Sequence, residues 1–197
     1  MAGLRIALTF TVLALASAAA DAQTPARIRG TITAVEPNVL AVKSRDGQDL
    51  RLVLPDNATV AVAKAVRFED IKPGDYVGST ALKRPDGILV AVEVQYLPLT
   101  APPGHTPADL QPGSTMTNAN VEAAVQSAGN RELTLKYKDG MQKILVPEGV
   151  PIVRAVPGAR SDLAVGEYVF VAAQAAPDGK LTALRIQVSK DGVKPPQ

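Results

Sequence analysis

Hydrophobic and polar positions alternate through much of the chain. Ile28, Gly30, Ile32 and Ala34 alternate with Arg29, Thr31 and Thr33, and Leu50, Leu52 and Leu54 alternate with Arg51 and Val53. A period of two sends one set of side chains into a core and the other into water, which predicts strands over 28–35 and 48–54, with another at 39–44. Asp46-Gly47 and Asp139-Gly140 suit the positive backbone angles of tight hairpin turns. Pro55 and Pro147 stop the third strand of each set, because proline cannot donate to a ladder. The following stretch, "DNATVAVAKAVRFEDI", lacks a strong period and is expected to hold one short strand near Val60 and one helical turn near Glu69. Strands at 76–83 and 89–96, joined by Pro85-Asp86-Gly87, complete the pattern.

The pattern then returns at an offset of ninety-two residues. Pro55 falls on Pro147, Val60 on Ile152, Asp70 on Asp162, "PGDYV" at 73–77 on "VGEYV" at 165–169, and Pro85-Asp86-Gly87 on Pro177-Asp178-Gly179. A constant offset over this span marks a repeated structural unit. Upstream of Pro55 the register slips by a few residues, as one turn of different length requires. Three strands, an irregular crossing and two strands are the order of a five-stranded Greek-key barrel of the OB type. The expected fold is all-β, with two tandem small OB-like barrels related by internal repeat; paired open sandwiches or one ten-stranded sheet are the rivals. The expected boundaries are a first barrel at 27–98, a Pro/Gly-rich linker at 99–118, a second barrel at 119–192 and a tail at 193–197. Units of about seventy residues bury only a marginal core, which favours packing of one barrel on the other.

The first residues fall outside this pattern. One early arginine (Arg5), an apolar run from Ile6 to Ala16 and small residues ending at Ala22 form the three parts of a secretory signal peptide over 1–22, cleaved before Gln23. The run is too short to cross a hydrocarbon core of about 30 Å as a helix. The protein is therefore expected to be exported to the periplasm as a soluble chain and not to be an integral membrane protein.

The chain of 197 residues carries 21 basic and 19 acidic residues and no cysteine. Thiol catalysis, thiolate metal sites and disulfides are excluded together. The basic residues are scattered, without the clustered face of a nucleic-acid binder. Strands 28–35, 39–44 and 48–54 contain no aromatic residue on which bases or sugars could stack, which disfavours nucleic acid as a partner. His105 is the lone histidine. It cannot assemble a nitrogen- and sulfur-ligated zinc site within one chain, and Pro107 keeps it and Asp109 from sharing a regular helical face. Asp75 and Glu167, each beside a glycine, read as turn formers. No nucleophile motif surrounds Ser114 or Ser161. Neither catalysis nor a cofactor or metal is expected.

The linker sequence is varied for a spacer. "GHTPADLQPGSTMTNA" at 104–119, flanked by "GDYV" at 74–77 and "GEYV" at 166–169, resembles a group of small exported bacterial proteins built on OB-like domains and assigned to a family of unknown function. The resemblance spans about residues 27 to 190 and implies a fold but no activity. Some members carry the label of a metal ABC transporter permease, which implies at most an accessory role in metal transport. A permease needs several apolar spans of about twenty residues, and none follows the signal here. Members often place an aromatic residue where this chain has Ala108. His105, Asp109, Leu110, Ser114 and Thr115 are the candidate partner-docking residues of the linker. The expected function is a non-enzymatic binding or scaffold role, with an envelope protein as partner. The alternative is an OB-type module for an oligosaccharide, nucleic acid or other ligand.

Overall fold

The computed structural model describes residues 24–127 and 130–196, and the expected signal peptide at 1–22 lies outside them. The alternating segments of the first half form β1 (Thr24–Glu36), β2 (Val39–Ser44) and β3 (Asp49–Val53). The weakly periodic stretch is extended as β4 (Thr59–Ala65) before a 3-10 turn at Phe68–Asp70. β5 (Tyr76–Lys83) and β6 (Leu89–Tyr96) end this half. After β7 (Gly104–Pro107), the order recurs as β8 (Ser114–Ser127), β9 (Asn130–Tyr137), β10 (Gly140–Leu145) and β11 (Ile152–Pro157). A 3-10 turn at Arg160–Asp162 leads to β12 (Tyr168–Ala175) and β13 (Leu181–Val188). The protein is all-β, with these strands hydrogen-bonded in one mixed sheet.

The two Pro-Asp-Gly turns are built alike. Gly87 and Gly179 take φ of 87° and 84°, a region that residues with a Cβ avoid. Asp86 accepts the Ile88 N–H at 3.1 Å, and Asp178 accepts the Lys180 N–H at 2.9 Å. Asp139-Gly140 departs from the expected positive angle. Gly140 opens β10 opposite Tyr137, whose hydroxyl would lie 3.0 Å from an added Cβ, so a side chain there would crowd the ring.

The pairing forms two cyclic sets. The first ring runs β3-β2-β1-β12-β13 and closes by a parallel contact of β13 with β3 at Leu181 and Leu52. The second runs β10-β9-β8-β5-β6 and closes where β6 meets β10 in parallel at Leu89 and Ile144. Each ring thus takes three strands from one half and a hairpin from the other. The boundaries 27–98 and 119–192 enclose the halves of the sequence, while the rings draw on both. Between Asp56 and Lys72 the chain has neither glycine nor proline, so no tight turn folds it back, and β4 carries it across to the other ring.

β4 and β11 join the rings by pairing antiparallel with each other, and each also runs parallel to a ring strand, β13 and β6 respectively. Ala63 faces Ala155, ninety-two positions further on. The same offset relates Val60–Ile186 to Ile152–Val94, and Leu52–Leu181 to Ile144–Leu89. For β1 against β8 the offset is eighty-nine, as Gly30–Val169 and Ala119–Val77 show.

Two separate cores follow from this plan. Leu40, Leu52, Val171 and Ile186 lie in the first, and Val77, Val94, Leu133 and Ile144 in the second, all fully buried. Each core combines side chains from both halves, so neither half buries its own apolar face alone. The linker is also shorter than the expected 99–118, because Ser114 already opens β8. At the C-terminal tail Val193 bridges Lys190, Lys194 sits over the Tyr168 ring, and Pro195 is buried. Among the described residues no helix is long and apolar enough to cross a membrane.

Candidate functional site

Alternation places Arg27 and Arg29 on the outer face of β1, where solvent is expected. Arg27 is exposed, yet Arg29 is only 9% exposed. Its guanidinium lies over the Phe170 ring at 5.3 Å and donates two hydrogen bonds to Asp109, at 2.9 and 3.3 Å. Its Nε is buried without a hydrogen-bond partner. Such a fork holds a carboxylate in a fixed plane. Arg27 stands 3.7 Å from the same carboxylate, and Arg45, on the turn after β2, donates to the Leu110 carbonyl at 3.2 Å. Arg27, Arg29, Ser44, Arg45, Asp46 and Gln48 line a cleft of about 360 Å³ at this place. Asp46 is engaged inside its own turn, accepting from Ser44 Oγ at 2.6 Å and Gln48 Nε2 at 2.9 Å. Three guanidinium groups therefore meet one carboxylate and one carbonyl from the connector.

Burial alone would raise the pKa of Asp109, but the Arg29 hydrogen bond and the charges of Arg29 and Arg27 outweigh it. Its carboxyl is held below the usual carboxylate range. A group whose pKa is depressed by folding stabilises the fold above its unfolded value and loses that contribution as pH falls through the folded value. Asp109→Asn is expected to cost about 1–2 kcal/mol at neutral pH, since it leaves a buried guanidinium with a weaker acceptor. The difference from the parent should be fully present above the ordinary carboxylate range and shrink as pH falls through the lower folded-state value. Denaturant titrations of both proteins across that range check it.

The other candidate residues of the linker also turn toward their own chain. His105 Nδ1 lies 2.8 Å from Thr117 Oγ1 within the β7–β8 pair. Ser114 is buried, with Oγ 2.7 Å from the Gln111 carbonyl and 3.2 Å from that of Ala108. Thr115 Oγ1 reaches the Ala81 carbonyl at 3.5 Å, and the Leu110 carbonyl serves Arg45. The strand β7 explains why His105 and Asp109 have separate partners: Thr117 on the second ring and Arg29 on the first. The connector is fastened at its start too, where Tyr76 donates to the Ala101 carbonyl at 2.8 Å and Asn118 to that of Pro102 at 3.1 Å. Among the described residues no three His, Cys, Asp or Glu side chains gather as a metal site.

A second cleft of about 500 Å³ lies beside the crossing strands, lined by Lys64, Asp70, Lys72, Asp75 and Arg154. Arg154, Asp75 and Asp70 are paired locally, Asp70 with Arg67 at 2.8 Å. Arg154 covers the Tyr96 ring at 3.8 Å, Tyr96 donates to Asp75 at 2.7 Å, and Asp75 accepts the Lys72 N–H at 2.9 Å. Burial, then the Asp75 bond, push the Tyr96 phenol above its usual range. Asp75 thus does shape the turn into β5 as its position beside Gly74 suggests.

A model described as a domain of unknown function (DUF5666) matches residues 153–187, the segment from β11 through most of β13. No curated protein and no solved structure matches the chain.

Proposed function

We propose that the protein is an exported, non-enzymatic binding and scaffold component of the cell envelope, made of two OB-type Greek-key barrels that have exchanged hairpins. The observation that carries this reading is that each ring takes three strands from one half of the chain and a hairpin from the other. Each ring follows the order of three consecutive strands and a hairpin that suits an OB barrel, and the shared register offset supports descent of the halves from one unit. Because each core needs strands from both halves, the rings keep a fixed spacing unless the chain unfolds. A connector tied to both rings adds a third fixed surface.

Aromatic rings favour this reading over an OB module for bases or sugars. Six aromatic residues follow the signal segment, and Arg29, Arg131, Arg154 and Lys194 lie over four of them, Phe170, Phe68, Tyr96 and Tyr168. Rings already facing a protein cation are poor platforms for stacking a base. The periplasm is the proposed location, and cleavage before Gln23 leaves a chain whose first strand opens at once, at Thr24. Intact mass of the protein recovered from cells should correspond to a start at Gln23; retention of residues 1–22 would contradict export by this route.

The test of the scaffold reading is photo-cross-linking in cells, with the reactive residue at Leu99, which is 85% exposed on the connector, and at the turn residues Asp86 and Asp178. A discrete envelope-protein adduct at Leu99, absent at the two turns, supports it. Adducts only within the chain at all three positions contradict it.

A further inference from the structure

The two rings differ at one corresponding place. In the second ring β9 pairs with β8 only from Asn120 onward, and β7 occupies the same edge of β8 before that point, Gly104–Pro107 lying antiparallel to Thr115–Asn118. With the offset of eighty-nine, the matching stretch of the first ring is Ala26–Arg29 of β1. There β12 covers one edge of β1 from Thr24 to Thr31, while β2 begins to cover the other only at Gly30, opposite Ser44. No strand among the described residues fills the slot that β7 fills in the second ring.

The backbone groups facing that slot can be assigned. Ile32 N–H bonds toward Glu167 on the β12 side, whereas the Arg29 carbonyl accepts from Arg45 N–H on the β2 side. Alternation along an antiparallel strand then turns the N–H and C=O of Arg27, and the N–H of Arg29, to the open edge. The arginine cleft opens beside this edge, and the connector shows what it accepts: the carboxylate of Asp109 and the carbonyl of Leu110.

We propose that the open edge of β1 and the cleft of Arg27, Arg29 and Arg45 form one docking site, which takes an extended acidic segment of a partner protein as an added strand. Main-chain bonds to Arg27 supply affinity in such strand addition, and side-chain pockets supply selectivity. The segment's carboxylates meet Arg27 and Arg45, which are more exposed than Arg29, and compete with Asp109 for Arg29. The short strand β7 gives the length required, about four paired residues. This site rests on the binding reading above and names the chemistry of its partner.

Fluorescence anisotropy with a labelled seven-residue peptide of alternating valine and aspartate tests it, with a valine–lysine peptide as control. The acidic peptide should bind, more weakly as salt rises, and the lysine peptide should not. The double variant Arg27→Ala/Arg45→Ala should lose about tenfold in affinity, as removal of a central arginine contact typically does. Arg27→Pro removes a donor from an edge that no strand covers, so it should abolish binding and leave the melting temperature near that of the parent. Asp109→Asn, which frees the Arg29 fork, should raise affinity. Hydrogen exchange should show the Arg27 and Arg29 amides gaining protection with the acidic peptide. Equal binding of both peptides, no binding of either, or protection confined to other strands would overturn the proposal. So would a concentration-dependent dimer that Arg27→Pro dissociates, since the edge would then serve a second copy of the chain. If the cross-link at Leu99 persists in cells while the acidic peptide fails to bind, the docking site is refuted and the scaffold reading stands.

Discussion

Replacing Gly30 by alanine is expected to cost about 3 kcal/mol or more, the upper end for an overpacked site and a large share of a domain's usual stability of about 5–15 kcal/mol. The reason is backbone, not side chain. A Cβ at this position would lie 2.1 Å from the Lys43 carbonyl oxygen and 2.8 Å from Ser44 Cα. Those atoms belong to the facing strand, and moving them breaks the Gly30–Ser44 and Thr31–Lys43 register. The second ring supplies the control. Its corresponding residue is Ala119, fully buried, and there β9 starts pairing one step later, at Asn120 opposite Lys136. The ring without the close strand holds a methyl group; the ring with it has none. Ala119→Gly should therefore cost only about 1 kcal/mol, mainly chain entropy. Urea midpoints of the two variants give the comparison, and a tolerated Gly30→Ala would mean that β1 and β2 do not approach as described.

The second large effect is a gain. Ala63→Cys with Ala155→Cys should form a disulfide in air and raise stability by about 4–5 kcal/mol, the size expected for closing a loop near one hundred residues. Val66 N–H bonds to the Ile152 carbonyl, and Gly158 N–H to that of Val60. By alternation Ala63 and Ala155 form a non-hydrogen-bonded pair, in which the Cα atoms come to about 4.5 Å, inside the range a disulfide spans. The chain has no other cysteine to compete. Comparing oxidised and reduced forms in denaturant measures the gain. A register shifted by one residue would put the two side chains on opposite faces, and the bond would not form.

Much of the strand plan was legible because period two is a local signal. Ile32, Leu50 and Ile186 alternate with polar neighbours, and Asp86-Gly87 and Asp178-Gly179 mark turns by their own chemistry. Which hairpin closes which ring is not a local property. β12 and β13 present the same apolar faces whichever three strands they join, so the alternation of Val169, Val171 and Ala173 is silent on the exchange. β7 was hidden for another reason: Pro107 and the glycines at 104 and 113 read as irregular chain, while its pairing depends on the edge that β9 leaves free. Asp109 could be singled out by the variety of the linker. Arg29 could not, since an arginine at an outward position of a strand ordinarily lies in water, and only the approach of Phe170 and the connector buries it.

The sharing of hairpins between the halves also explains how a small chain without disulfides can hold the two rings together. Separating the rings would expose both cores, so the free energy that keeps one folded also keeps the pair joined. Cleavage of the connector tests this most directly. A protease site inserted between Leu99 and Thr100 would cut the chain into one fragment carrying β1 to β6 and another carrying β7 to β13. The account predicts that the two fragments co-elute after cleavage under native conditions and part only at denaturant concentrations that unfold both rings. Two fragments that separate at once, each still folded and rich in β-structure, would contradict it.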